Sequence, residues 1–224
     1  MSAFFIAGAG TDVGKTHVTA GLIRALIASG RDVEALKPLV SGFDPEDWAG
    51  SDPGRLLAAL GRPLDLPHLD RISPWRFRAP LSPDMAAARE GAEIDLEGIL
   101  ALCAREAAAS GDRVLMIEGV GGVMSPLSPA TTNLDWIRAL QLPVLLVVGS
   151  YLGSISHTLT AVEVILATGL PLAAVAVSES LDAGTPFDET LASLGRLSGA
   201  PVFAVPRDAS ETVWAAPIIE ALLS

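Results

Sequence analysis

One glycine-rich run constrains the fold of this chain more than any other stretch. Gly8–Thr16 reads GAGTDVGKT, follows the short apolar segment Ala3–Ala7 and leads directly into a helical pattern. Glycines allow several backbone N–H groups to converge on one anion, and the start of the following helix adds partial positive charge. Lys15 is then suited to the β- and γ-phosphates of a nucleotide, and the hydroxyl of Thr16 to Mg²⁺. We therefore predict a phosphate-binding loop between a strand and a helix.

The spacing of this loop differs from the usual one by a single residue. The standard loop has four residues between its first glycine and the Gly-Lys pair. Here five residues separate Gly8 from Gly14, and Ala9 stands at the standard glycine position. Asp12 within the loop either takes part in metal binding and loop shaping or simply caps the helix. The sequence leaves both interpretations open.

Short, wholly apolar runs alternate with longer helical patterns along the rest of the chain. The apolar runs predict strands at Ala3–Ala7, Asp32–Lys37, Arg113–Glu118, Pro143–Val148, Leu172–Val177 and Val202–Val205. The longer patterns predict helices at Lys15–Ser29, Asp52–Leu60, Asp84–Arg89, Asp95–Ser110, Leu134–Leu140, Ser154–Thr168, Pro186–Leu197 and Ala209–Leu223. The Pro- and Arg-rich segment Gly61–Pro83 is expected to wrap the surface as a connection.

These patterns indicate the fold class. Strands that are apolar throughout are covered on both faces of a sheet, and strands joined by helices pair in parallel. We predict one α/β domain over residues 1–224, with a P-loop NTPase-like, doubly wound, mainly parallel sheet and helices on both faces. Ligands of such sheets bind beyond the carboxyl ends of the strands, so the residues that follow the strands are the candidates for function.

Composition excludes several classes of function. The formal net charge is −11 and no cluster of Lys or Arg is present, which argues against a nucleic-acid partner. The single cysteine, Cys103, excludes an internal disulfide and is predicted to be buried in a helix. The chain begins without a basic signal-peptide region and has no apolar stretch near the ~20 residues of a membrane span. We expect a cytoplasmic protein without a membrane partner.

Two charged residues follow predicted strands. Lys37, before Pro38, is either a surface lysine at a strand end or a group that stabilises a transferring phosphoryl group. Ser41 either binds the same ligand or caps a turn. Glu118 ends a buried strand, where an unpaired carboxylate is seldom tolerated, and we predict that it holds Mg²⁺ directly or through water.

Three further segments carry competing interpretations. Gly121–Gly122 either lets the backbone approach a ligand or makes a turn. Asp52 follows Ser51 at a helix start, and local propensity alone favours a capping role. The helix start at Ser154 has free N–H groups that suit a carboxylate, although ordinary capping explains it equally, and His157 there is predicted to be structural.

Together these residues closely resemble the dethiobiotin synthetase family over nearly the whole chain. The matching segments occur in the family's order and with similar spacing: Gly8–Thr16, Lys37-Pro38, Ser41-Gly42, Ser51-Asp52, Ser82-Pro83, Glu118-Gly119, Gly121-Gly122, Leu152-Gly153 and His157.

The resemblance implies an ATP-dependent ring closure. One amine of 7,8-diaminononanoate is carbamated by CO₂, the carbamate attacks the γ-phosphate of ATP to give a carbamic-phosphoric anhydride, and the second amine closes the cyclic urea. It implies that Lys15 and Lys37 stabilise the carbamate and the phosphoryl group, and that Thr11 and Ser41 position them. The Mg²⁺ ligands it implies are Thr16, Asp52 and Glu118, which replaces the capping interpretation of Asp52.

The resemblance also implies binding residues for nucleotide and substrate. Those for the nucleotide and its metal are Asp12, Val13, Gly14, Lys15, Thr16, His17, Asp52, Glu118, Gly119, Gly121, Gly122, Ser178, Pro206 and Arg207. The substrate carboxylate meets a helix start of a second subunit, which implies a homodimer with its substrate site at the interface. That helix start maps onto Gly153, Ser154, Ile155 and Ser156, with Ser41 also contacting substrate.

The chain departs from the family at two places. The family loop usually carries a further carboxylate, which Gly8–Thr11 lacks. Ser178-Glu179 stands where the family commonly has an adenine-reading Asn, whereas Pro206-Arg207 matches a Pro-x pair near the base, so ATP is the expected nucleotide. The alternative is a P-loop switch ATPase of the MinD/ParA type, which typically carries a second lysine inside the loop. Positions 9–13 contain none.

Overall fold

A six-stranded, wholly parallel sheet forms the centre of the protein, whose computed structural model describes residues 2–181 and 184–224. Its strands are β1 (Ser2–Gly8), β2 (Val33–Leu36), β5 (Val114–Glu118), β6 (Val144–Gly149), β7 (Leu172–Ser178) and β8 (Val202–Val205), and a separate two-stranded sheet comprises β3 (Leu39–Ser41) and β4 (Trp75–Phe77). The order in the main sheet is β2-β5-β1-β6-β7-β8. The predicted parallel α/β sheet is confirmed.

Helices connect the strands. They are α1 (Lys15–Ala28), α2 (Asp52–Ala59), α3 (Leu66–Ile72), α4 (Pro83–Arg89), α5 (Leu96–Ala109), α6 (Asn133–Leu140), α7 (Ser154–Ala167), α8 (Phe187–Leu197) and α9 (Glu211–Leu223). Helix α1 packs against α9, while α5 packs against α6 and α7 against α8, so that helices cover both faces of the sheet. Every predicted strand and helix is present, with bounds that agree to within two residues.

The segment Gly61–Pro83 is more structured than its sequence suggests. It contains α3, whose Leu69 and Ile72 are buried, and β4, which pairs in parallel with β3. The carboxylate of Asp65 caps α3 by accepting a hydrogen bond from the backbone N–H of His68 (3.0 Å). Most of the segment is exposed, as expected of a surface connection, but α3 and β4 were not predicted, because a seven-residue helix and a three-residue strand are too short to show a clear hydrophobic period.

The core lies on both faces of the central strands. Phe5 of β1 meets Trp136 of α6 edge to face, with ring centroids 5.2 Å apart and both side chains fully buried. Cys103 of α5 is also buried, as predicted, and burial raises the pKa of its thiol to about 12. Among the described residues, no helix is both long and apolar enough to cross a membrane.

The topology decides where a ligand can bind. β1 lies between β5 and β6, and β5 lies beside β2, so the loops that follow β1, β2 and β5 leave the sheet side by side. The register reinforces this, because Ile6 pairs with Glu118 and Leu36 pairs with Ile117. The carboxyl ends of these three strands therefore share one edge, which is where open parallel sheets bind ligands.

Candidate functional site

The loop after β1 has the backbone of an anion-binding turn. Gly14 has a φ of 94° and precedes the first residue of α1, and Asp12 adopts a φ of 56°, which is uncommon for a residue with a side chain. A Cβ atom at Gly8 would lie 2.9 Å from the carbonyl oxygen of Gly10 and 3.0 Å from that of Gly121. Glycine is therefore needed at Gly8 for the close approach and at Gly14 for the left-handed turn.

Lys15 lies inside this loop. Its ammonium group donates a hydrogen bond to the carbonyl oxygen of Gly10 (3.0 Å), and its side chain is buried. Burial, followed by the nearby charge of Lys37, lowers the pKa of Lys15 to about 8. Among the described residues no carboxylate is bonded to Lys15, which lies at the place where the sequence predicts phosphate.

Three oxygen-bearing side chains converge at the start of α1. The hydroxyl oxygen of Thr16 lies 2.7 Å from a carboxylate oxygen of Asp52 and 2.7 Å from one of Glu118. The cap of α2 is Ser51, whose hydroxyl accepts a hydrogen bond from the N–H of Gly54 (3.4 Å). The capping interpretation of Asp52 was therefore wrong, because Ser51 satisfies the helix end and leaves the Asp52 carboxylate to face Thr16.

Lys37 joins the same cluster from the end of β2. Its ammonium group lies 2.8 Å from Glu118 Oε1 and 2.9 Å from Asp52 Oδ2, and it donates a further hydrogen bond to the carbonyl of Gly119 (2.8 Å). Lys37 is 1% exposed, so it is not the surface lysine that was one of the two alternatives.

The charges in this cluster reinforce one another. Burial alone would lower the pKa of Lys37, but Glu118 and Asp52 outweigh it and raise the pKa above its usual value. Burial would likewise raise the pKa of Asp52, yet Lys37 and the Thr16 hydroxyl bring it down to about 2. Both groups are therefore ionised at neutral pH.

The oxygens around Thr16 suit a hard divalent cation. One hydroxyl hydrogen cannot serve both carboxylates, and the buried Oε2 of Glu118 has no hydrogen-bond partner among residues 2–181 and 184–224. Mg²⁺ prefers oxygen ligands and is usually held by one or two carboxylates together with substrate phosphates and water. The described residues contain no group of three or more His, Cys, Asp or Glu side chains that could hold a metal ion.

The loop after β5 closes one side of the site. Asn133, the first residue of α6, donates hydrogen bonds from its amide to the carbonyls of Val120 and Gly122. The Ser125 hydroxyl accepts a hydrogen bond from the N–H of Gly122 (2.8 Å), and Gly121 has a φ of 61°. Asn133 was missed by the sequence analysis, since an Asn at a helix start gives no signal beyond local capping.

A cavity of about 670 Å³ opens above this cluster. The predicted residues that line it are Thr11, Asp12, Gly14, Lys15, Thr16, His17, Lys37, Ser41, Asp52 and Gly121. Glu118 and Gly119 are linked to it through Lys37, whereas the side chain of Val13 is buried in the core. The sequence analysis did not single out Arg55, which also lines the cavity.

The residues predicted near the base flank the loop rather than line this cavity. The Ser178 side chain packs against Gly14, where a Cβ atom would lie 2.5 Å from the hydroxyl oxygen of Ser178. Arg207 is tied to Glu179, since its N–H donates to the Glu179 carboxylate (2.9 Å) and its guanidinium to the Glu179 carbonyl (3.2 Å). Pro206 lies beside them, directly after β8.

The predicted carboxylate-binding residues lie apart from the main cavity, at the start of α7. Gly153 has a φ of 95° and Ser156 is exposed, while Ile155 is half-buried. Ser154 is buried and its hydroxyl has no hydrogen-bond partner in the described part of the chain. A groove of about 400 Å³ lies between the phosphate loop and α7, lined by Gly10, Thr11, Gly122, Ser125 and His157 among others, but by none of Gly153–Ser156.

Comparison with known proteins agrees with the geometry. The family model described as an AAA domain matches residues 2–210. The chain is 53% identical to the ATP-dependent dethiobiotin synthetase BioD of Caulobacter sp. (strain K31), over 94% of this chain and 90% of that protein. It is 49% identical to the protein of the same name from Phenylobacterium zucineum (strain HLK1), over 99% and 95% of the two chains.

Solved structures show the same fold at low sequence identity. The MinD cell division protein of Aquifex aeolicus aligns over all of this chain and 97% of its own, with a TM-score of 0.60 and 13% identity. A ParA family ATPase from Chlorobium tepidum TLS aligns over 99% of this chain and 89% of its own, with a TM-score of 0.52 and 16% identity. The fold is thus shared with these ATPases, whereas the sequence places the chain in the family of ATP-dependent dethiobiotin synthetases.

Proposed function

We propose that this protein forms the cyclic urea of dethiobiotin from 7,8-diaminononanoate and CO₂, with cleavage of ATP to ADP and phosphate. The observation that carries the proposal is the convergence of Lys15, Thr16, Lys37, Asp52 and Glu118 on one end of the cavity. The near-full-length similarity to ATP-dependent dethiobiotin synthetases supports the same reaction.

The loop at Gly8–Thr16 binds the phosphates of ATP. Its backbone N–H groups and the start of α1 attract the anion, and Lys15 contributes a nearby positive charge. Thr16, Asp52 and Glu118 are the residues that would hold Mg²⁺, which supplies charge neutralisation for the phosphates when bound. The buried, unpartnered Oε2 of Glu118 is the observation in favour of this donor set.

Lys37 acts on the reacting groups. A carbamate forms when one amine adds to CO₂ and loses a proton, and its oxygen then bonds to the γ-phosphorus as ADP leaves. Lys37 remains protonated at neutral pH and lines the cavity, so its positive charge stabilises the carbamate and the phosphoryl group in transfer. Attack of the second amine on the carbamate carbon expels phosphate and closes the ring.

Thr11 and Ser41 position the reactants. Both line the cavity, Thr11 from the phosphate loop and Ser41 from the end of β3. A hydroxyl both donates and accepts hydrogen bonds, which suits a carbamate and a phosphoryl oxygen that develop charge together. Holding the two reacting groups in one geometry raises the reaction rate by several orders of magnitude. The corresponding effective concentration is roughly 10⁵ M or more.

The substrate carboxylate binds at an interface between two copies of the chain. The start of α7 offers free N–H groups at Gly153–Ser156, and the Ser154 hydroxyl beside them is buried without a partner. Leu152 next to it is 83% exposed, which suits a surface that another subunit covers. This arrangement supports an active homodimer in which each α7 completes the partner's site.

The reaction is tested by product formation. Purified protein, diaminononanoate, bicarbonate, MgCl₂ and ATP are expected to yield dethiobiotin and phosphate in equal amounts, identified by mass spectrometry and a phosphate assay. Omitting the diamine is expected to abolish most ATP cleavage. Equal hydrolysis with and without the diamine, and no cyclic urea, would instead favour a switch ATPase of the MinD/ParA type.

A further inference from the structure

Arg55 lines the cavity, and the mechanism described above gives it no role. It lies on α2, three residues after Asp52 and therefore on the same face of the helix. Helix α2 packs against α1, and Arg55 lines the cavity together with Lys15, Thr16 and His17. Arg55 therefore lines the same cavity as the phosphate loop, and it does so from helix α2.

Arg55 also lacks a partner of its own. Across residues 2–181 and 184–224 its side chain makes no hydrogen bond or ion pair, and the residue is exposed. The other strong cations at this end are engaged: Lys15 donates to the carbonyl of Gly10, and Lys37 is held by Asp52 and Glu118. An arginine side chain loses rotamer entropy wherever it becomes ordered, and here no partner among the described residues compensates for that loss. The unpaired guanidinium at the cavity wall is therefore available to a ligand.

A bound nucleotide would leave excess negative charge in the cavity, which a further cation such as Arg55 would offset. A nucleotide triphosphate brings several negative charges to a wall that already carries Asp12 and Asp52. Lys37 is already paired with Asp52 and Glu118, so part of its charge is balanced before a nucleotide binds. A guanidinium stays protonated at every pH of interest and matches phosphate oxygens with paired N–H donors.

The position of Arg55 favours the nucleotide over the diamine. Arg55 lines the same cavity as Thr16 and His17, the last residue of the Gly-Lys-Thr sequence and the residue after it. Residues after the Gly-Lys-Thr sequence lie along the bound phosphates in loops of this kind. A positive guanidinium would in addition repel a protonated diamine.

We propose that Arg55 is a further nucleotide-binding residue, whose guanidinium donates hydrogen bonds to the phosphate oxygens of bound ATP or ADP from the α2 side of the cavity. The proposal deepens the proposed function and rests on it. Arg55 is a binding and positioning residue, with no part in the transfer of the phosphoryl group.

The test is nucleotide binding without the diamine. Calorimetry with ADP and Mg²⁺ is run on the wild-type protein, R55Q, R55K and, as a matched control, R31Q. Arg31 is an exposed arginine just beyond the other end of α1, also without a side-chain partner among the described residues. Loss of a charge-assisted hydrogen bond is expected to weaken ADP binding by R55Q about tenfold, whereas R31Q stays at the wild-type value.

Salt and a conservative variant separate a phosphate contact from a packing effect. At about 1 M NaCl the difference between R55Q and wild type is expected to shrink below about threefold, because exposed charges are screened. R55K keeps the charge without the planar fork and should bind ADP with intermediate affinity. Equal ADP affinity of R55Q and wild type would overturn the proposal, as would a loss of affinity that salt leaves unchanged. ADP binding is independent of dethiobiotin formation, so either proposal can fail while the other stands.

Discussion

The ammonium group of Lys37 and the carboxylate of Glu118 lie 2.8 Å apart, and both side chains are closed off from solvent. The two residues are 81 positions apart in sequence and meet because β2 and β5 are neighbouring parallel strands. A buried ion pair is seldom the most stabilising choice, since desolvation offsets much of the attraction. A buried pair at the wall of a cavity is therefore better explained by chemistry on a charged ligand than by stability.

Substitution of Lys37 tests its role in the reaction. K37Q is expected to lower the rate of dethiobiotin formation by about 10³ or more, because it removes a preorganised charge at the reacting phosphoryl group. ADP binding is expected to stay within about threefold of wild type, since the loop after β1 supplies most phosphate contacts. Product is measured by mass spectrometry and binding by calorimetry.

Stability is the control for this variant. Removal of one partner from a buried pair costs about 3–5 kcal/mol, so K37Q is expected to unfold more readily. The double variant K37Q/E118Q removes both charges and should recover part of that loss in urea unfolding. Near-normal turnover by K37Q would take Lys37 out of the chemistry.

Asp52 is expected to govern the requirement for Mg²⁺. D52N removes a carboxylate that lies 2.7 Å from the Thr16 hydroxyl, and the Mg²⁺ concentration needed for half-maximal turnover should rise about tenfold or more. D112N, which changes an exposed carboxylate before β5, is the matched control and should leave that concentration unchanged. An identical Mg²⁺ response of D52N and wild type would contradict the assignment.

The pKa of Lys15 predicts a pH dependence of nucleotide binding. Its pKa in the free protein, about 8, rises when phosphate binds, so ADP binding above about pH 8 should take up a proton and weaken as pH increases. Calorimetry at about pH 9 in two buffers with different ionisation enthalpies measures that uptake. K15M should show no such uptake, and uptake equal to that of wild type would assign the proton to another group.

The same shift affects stability with a defined sign. The folded pKa of Lys15 lies below its ordinary value, so between about pH 8 and 10.5 the unfolded chain binds more protons than the folded one. The contribution of Lys15 to the free energy of unfolding should therefore rise with pH across that window. Comparison of wild type with K15M in urea at several pH values isolates this contribution.

Asn133 is expected to hold the loop after β5 in place. N133A removes the donor to the carbonyls of Val120 and Gly122, and should cost about 1–3 kcal/mol in the free energy of unfolding. Turnover should fall even under conditions in which N133A is still folded, because Gly121 of that loop lines the cavity. N133D would place a buried carboxylate against the same two carbonyl oxygens and should cost more stability than N133A. Wild-type stability and turnover in both would mean that the loop is held by other contacts.

Local patterns were sufficient to predict the framework. The turn at Gly8–Thr16 can be predicted because glycine spacing and a following helix are local properties of the sequence. Wholly apolar runs likewise identify buried strands, for example at Val114–Ile117. The short elements α3, β3 and β4 escaped prediction, because their stability comes from packing against distant residues rather than from a period of their own.

The sequence by itself determined the parallel α/β framework and the phosphate-binding loop, through periodicity and glycine chemistry. Only the tertiary structure shows which groups Asp52 and Lys37 contact and that Arg55 lines the same cavity. Ser51 and Asp52 are equally good caps by local propensity, and it took contacts with Thr16, 36 residues away, and with Lys37 to distinguish them. Burial and charge pairing depend on which strands and helices become neighbours, and no local pattern carries that information.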